Sequence, residues 1–176
     1  MSTNTFHSIL GNIVSDKTWG HHFLVPKNVA QHYLENKQKR LICKLNNLIE
    51  YNCALMARGQ GEYFILVNGE IRKKLKLEIG SELDVEIKED KSEYGMPVPQ
   101  EVIDLFAHED MFYKLFHLLT PGKQRSLLYL VGKPKTEEVR VKKAIVICNH
   151  LINRNGDVDF KILNQDFKDY NELIKG

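Results

Sequence analysis

Almost everything that would announce a chemistry is missing from this 176-residue chain. There are only three cysteines, Cys43, Cys53 and Cys148, at long spacings and with no Cys-x-x-Cys pair. An odd number in that arrangement excludes a disulfide scaffold and reads as reduced, buried thiols in a cytosolic protein. No run of about 18 apolar residues exists, so no membrane span is expected. The polar N-terminus lacks the apolar core of a signal peptide. Charge of one sign is also lacking: 25 basic and 23 acidic residues leave a net charge of +2. That balance argues against a protein that binds polyanions over its whole surface.

The catalytic motifs are absent as well. Gly59-Gln60-Gly61 lacks the Gly-Lys-Ser/Thr ending and the following helix of a phosphate loop, and reads as a hairpin turn. Ser81 and Ser126 sit in no Gly-x-Ser-x-Gly elbow. Asp84 and Glu86 alternate on one strand with no further acid converging on them. His21-His22 have no third ligand at metal spacing, and His7, His32, His108, His117 and His150 are scattered. The expectation is no catalytic residue, no metal and no cofactor.

What is there is a repeat. Phe23-Leu24-Val25-Pro26-Lys27-Asn28-Val29, then Tyr33, Leu41, Cys43 and Leu45, returns 42 positions later. The second copy is Ile65-Leu66-Val67-Asn68-Gly69-Glu70-Ile71, then Leu75, Leu83, Val85 and Ile87. The offset holds without a gap from Val25/Val67 to Leu45/Ile87. A duplicated strand, short helix and strand predicts one barrel made of two similar halves. Period-2 runs predict strands at Phe6–Val14, His22–Val25, Arg40–Leu45, Glu50–Met56, Tyr63–Val67 and Glu82–Lys88.

The pattern changes after Glu89. A charged run and Gly95-Met96-Pro97-Val98-Pro99 form a linker. Beyond it the apolar period is helical, with the last helix capped by Thr136 and buried through Val139, Ala144, Ile145, Ile147, Cys148 and Leu151. The expected class is α+β: a β-barrel domain at 1–92, a small helical bundle at 98–153 and a polar tail at 154–176.

Two basic clusters are the anion or nucleic-acid candidates. One is Arg72 and Lys73, with Lys74 and Lys76 beside them. The other is segment 121–143, where Lys123, Arg125, Lys133, Lys135, Arg140, Lys142 and Lys143 against Glu137 and Glu138 give a net +5. Trp19, His22 and Tyr63 are pocket candidates, with Trp19 as a lid at the barrel end.

Residues 1–153 resemble the YdeI/OmpD-associated (bacteriocin-protection, OmdA-like) family. The N-terminal marks are Val25-Pro26, the strand Arg40–Leu45, Gly61-x-Tyr63, Ile71-Arg72-x-x-Leu75 and Gly80 before Leu83-x-Val85. They resemble the small bacterial domain of unknown function that precedes the OmdA region. The C-terminal marks are Val98-Pro99, Thr120 through Arg125, and Lys135-Thr136-x-x-x-Arg140. The resemblance implies a pseudo-twofold double-split β-barrel related to AbrB-like DNA-binding proteins. The first copy, however, has Ala30-Gln31-His32 where the second has Arg72-Lys73-Lys74, so a symmetric pair of basic arms is missing. The expected function is a cytoplasmic, non-enzymatic binding or interaction protein with a protein partner, connected with envelope stress or antimicrobial-peptide tolerance. The alternatives are a nucleic-acid-binding regulator and an enzyme with an unrecognised inter-domain site.

Overall fold

The computed structural model describes residues 3–14 and 19–173. It is a mixed α+β structure in two compact units, Met1–Lys91 and Ser92–Gly176.

The first unit is built from two sequence halves. The first half runs β1 (Asn4–Ile9), β2 (Gly11–Val14), β3 (Trp19–Val25), α1 (Lys27–Glu35) and β4 (Arg40–Leu45). The second runs β5 (Ile49–Ala54), β6 (Met56–Gly59), β7 (Glu62–Leu66), α2 (Gly69–Leu75) and β8 (Glu82–Glu89). One antiparallel sheet has the order β1-β8-β4-β5 and the other β2-β3-β7-β6. Exchanging the two halves maps each order onto its own reverse, which is the topological form of the 42-residue repeat.

The strands expected at Phe6–Val14 and Glu50–Met56 each break in two. The breaks fall at Leu10 and Leu55, which are buried side chains at corners where the chain leaves one sheet for the other. The corners are held alike: Leu10 N–H donates to Ser81 O at 2.9 Å, and Leu55 N–H donates to Lys39 O at 2.9 Å. Among the described residues no ladder joins the two sheets, so the barrel does not close through strand pairing. An alternating pattern reports which side chains face inward, but not that a buried leucine redirects the strand.

The inward faces of both sheets, with Val29, Ala30 and Tyr33 of α1 and Ile71 of α2, form one core. Tyr33 is fully buried, and its hydroxyl is satisfied by donating to Ile87 O at 2.9 Å and accepting from Asn4 Nδ2 at 2.9 Å. Cys43 lies opposite Tyr51, and Cys53 opposite Leu41, so the two thiols are diagonal neighbours on the β4–β5 pair. Both are free and buried.

The second unit is helical: α3 (Gln100–His108), α4 (Asp110–His117), α5 (Pro121–Gly132), α6 (Glu137–Asn153) and α7 (Phe160–Leu173). Thr120 caps α5, ahead of Pro121 in the first turn, while Thr136 makes no side-chain cap to α6. Val139, expected inside, is 40% exposed, because α6 enters the core only from Ala144 onward. Phe106, Phe112 and Phe116 pack ring on ring around Tyr94 and His117. His117 Nδ1 donates to Tyr113 O at 2.7 Å, so its Nε2 is left to accept from the Tyr94 hydroxyl at 2.8 Å. Burial pushes the Tyr94 phenol up to about 12.

The segment read as a polar tail holds α7. Its Leu163 is fully buried, and Asp166 accepts from Nδ1 of the buried His150 at 2.6 Å. Only one apolar position in the first turns reaches the core, so the helix looks polar in sequence although it is anchored.

A candidate anion cavity in the N-terminal unit

A cavity of about 650 Å³ opens in the N-terminal unit where the two halves meet. Sequence alternation places its walls. On β3, neighbouring side chains point to opposite faces, so His21 lines the cavity while His22 is buried against Phe64, with ring centroids 5.4 Å apart. On β5, Tyr51, Asn52 and Cys53 contribute, and Arg40 comes from the start of β4.

The repeat explains the most informative wall. Asn68 starts α2, its Oδ1 accepting from Ile71 N–H at 2.9 Å. Arg72 lies one turn on and lines the cavity. At the equivalent place in the first half stands Ala30, fully buried in the core. The scaffold is duplicated, but the guanidinium is present once.

Arg72 Nη1 lies 3.4 Å from His21 Nε2, and its Nε is buried with no hydrogen-bond partner. Asn52 Nδ2 donates to Asp90 Oδ2 at 2.7 Å. None of the described residues lining the cavity is a carboxylate. The apolar part of the wall comes from Tyr51, Met56 and Leu66. A side chain at Gly20 would bring its Cβ within 3.2 Å of Leu66 Cδ2, so glycine keeps that wall close-packed.

The two acidic hydrogens in the wall are held in place. The Tyr51 hydroxyl donates to Leu66 O at 3.3 Å, and burial pushes its pKa above the ordinary range. The Cys53 thiol is pushed up by its hydrogen bond with Cys43 and by burial. Neither is poised as a nucleophile or base near neutral pH.

Of the anion and pocket candidates named from the sequence, Arg72 alone lines this cavity. Lys73 is exposed on the same helix, and Lys74 pairs with Glu70 at 3.1 Å. Tyr63 is half-buried against the core and His22 is internal, so neither is a wall residue. Trp19 opens β3, and its side chain lies outside the described residues. Lys123, Arg125, Lys135, Arg140 and Lys143 belong to the helical unit. There Arg140 Nε donates to Glu101 Oε1 at 2.7 Å and its Nη1 to the Lys135 carbonyl at 3.1 Å. Lys143 stands over the Phe167 ring, 5.3 Å from its centroid. Lys123 N–H is a capping donor to Thr120 at 3.5 Å. Among the described residues no three His, Cys, Asp or Glu side chains group to hold a metal ion, and no helix is long and apolar enough to cross a membrane.

Sequence reasoning missed Arg40, His21, Asn52 and Asn68 as one group. The available signal was the repeat: wherever its two copies differ by a charge, as at Ala30/Arg72, a built site is the natural place to look.

Residues 6–87 match the family described as Domain of unknown function (DUF1905), so the similarity covers the β-rich unit and ends before the helical one. No curated protein and no solved structure matches the chain.

Proposed function

We propose that this chain is a non-catalytic binding protein whose N-terminal unit takes up a small organic anion. The observation that carries the reading is the Arg72 guanidinium in the cavity wall, its Nε without a hydrogen-bond partner and its Nη1 beside His21, with no carboxylate among the described wall residues. The volume falls within the roughly 300–1,000 Å³ typical of small-molecule sites. Guanidinium groups suit carboxylate or phosphate geometry. Tyr51, Met56 and Leu66 call for an apolar body attached to that anion. The raised thiol and phenol of Cys53 and Tyr51 favour binding over catalysis.

The nucleic-acid reading draws less support from the same geometry. Of the basic side chains it would need, Arg140 is committed to Glu101, Lys142 to Glu138 and Lys74 to Glu70. The OmdA-like resemblance of 98–153 supports placing the binding in envelope stress or antimicrobial-peptide tolerance. The exchange symmetry of the strand orders supports kinship with double-split barrels.

Calorimetric titration tests the ligand class. Phenyl phosphate and benzoate should bind, and neutral benzamide should bind at least ~10-fold more weakly, the ratio expected when one charge-assisted bond is lost. Equal binding of all three, or tight binding of duplex DNA that collapses between about 50 and 200 mM salt, would replace this reading.

A further inference from the structure

A second, separate cavity of about 590 Å³ lies within the helical unit, between α3 and α6. Its character is opposite to the first. Glu101, Asp104, Glu109 and Glu137 line it, against the single guanidinium of Arg140. His108 also lines it, with Nδ1 engaged at 2.7 Å by the Asp104 carbonyl of its own helix. In a chain of net charge +2, this is a local excess of negative charge.

An acidic cluster alone is not a site, but Glu101 adds an independent observation. Its side chain is 8% exposed. Arg140 satisfies only Oε1, through Nε at 2.7 Å, and the remaining Arg140 contact goes to the Lys135 carbonyl. Glu101 Oε2 is buried with no donor. A buried carboxylate oxygen without a hydrogen bond is costly, and natural structures carry few of them without a reason. The missing partner is a donor, and the surrounding charge selects a cationic one. The rest of the wall is apolar, from Leu105, Ala144 and Ile145. Gln100 Nε2 donates to Asp104 Oδ1 at 2.8 Å, which steadies that carboxylate at the rim.

We propose that the α3–α6 groove binds an organic ammonium ion, with its N–H groups completing Glu101 and its apolar body resting on Leu105, Ala144 and Ile145. Asp104 and Glu137 draw the cation in and set the salt dependence. Arg140 holds Glu101 Oε1 through its Nε and leaves Oε2 to the ligand.

The full chain titrated with phenethylammonium, with 2-phenylethanol as the neutral isostere and 3-phenylpropionate as the anion, tests this. The ammonium should bind ~10-fold or more tightly than the alcohol, and the carboxylate should not bind. Its affinity should fall with added salt. D104N/E137Q, both changed at exposed positions, should weaken it several-fold while keeping the wild-type melting temperature. E101Q should weaken it further, and R72M in the other unit should leave it unchanged. Equal affinity for amine and alcohol would reduce the groove to an apolar cleft and overturn the proposal. So would wild-type affinity in D104N/E137Q, or no binding up to about 10 mM, well below the affinity of a useful site.

Discussion

Position 30 and position 72 are equivalent in the repeat, and exchanging their residues should have very unequal consequences. Ala30 is 0% exposed and belongs to the core with Phe23, Tyr33 and Leu41. Ala30→Arg adds about six heavy atoms to a packed site, an overpacking cost of typically ~1–3 kcal/mol. It also strands a cation without a partner, which adds several kcal/mol more unless the chain snorkels out. A loss of at least ~4 kcal/mol is expected by adding these terms. A unit of 91 residues has a total stability of only roughly 5–14 kcal/mol. A30R should therefore be largely unfolded in its N-terminal unit or close to it. Arg72→Ala removes a half-exposed side chain whose Nε lacks a partner, and should change stability by no more than ~1 kcal/mol. Urea titration followed by backbone NMR signals from β4 and β8 reads this unit separately from the helices. If A30R costs under ~1 kcal/mol, or R72A costs as much as A30R, the placement of position 30 in the core and position 72 at the cavity is wrong.

Tyr33→Phe removes the donor to Ile87 O and the acceptor for Asn4, and should cost ~1–2 kcal/mol by chemical denaturation. Arg140→Ala leaves the Glu101 carboxylate buried alone. Because Arg140 is itself 28% exposed and partly screened, about 2 kcal/mol is expected, and E101Q/R140M should lose less than R140A. Burial lowers the His22 pKa from 6.5, with nearby Arg58 and His21 acting in the same direction and a hydrogen bond at the Gly20 backbone opposing. The neutral ring is favoured in the fold, so the unfolded chain takes up the proton first. Stability should be flat above about pH 6.5 and fall as pH drops below it, and His22→Phe should flatten that fall.

Much of the architecture was legible because it is periodic. The strand Arg40–Leu45 appears with the bounds expected, since Leu41, Cys43 and Leu45 alternate with polar residues. The corners at Leu10 and Leu55 were not legible, because a buried leucine looks the same inside a strand and between two. The helix at Phe160–Leu173 was hidden by its polar faces, and its anchor depends on His150, sixteen residues upstream of Asp166. Site residues divide in the same way. Arg72 stood out as a charge in one repeat copy and not the other. His21 against His22 was undecidable without the strand's register. Arg140 reads from sequence either as a phosphate contact or as an anchor of the helices to a carboxylate or carbonyl, and the structure has it on both Glu101 of α3 and the Lys135 carbonyl; that the carboxylate is Glu101 is a long-range pairing no local pattern reveals.

The most direct test of the central claim is a phenyl phosphate titration of isotope-labelled protein, followed by backbone amide shifts. The account predicts saturable shifts concentrated at Asn12, His21, Asn52, Asn68 and Arg72, and their loss in R72M. Shifts confined to other surfaces, or an unchanged titration in R72M, would contradict it.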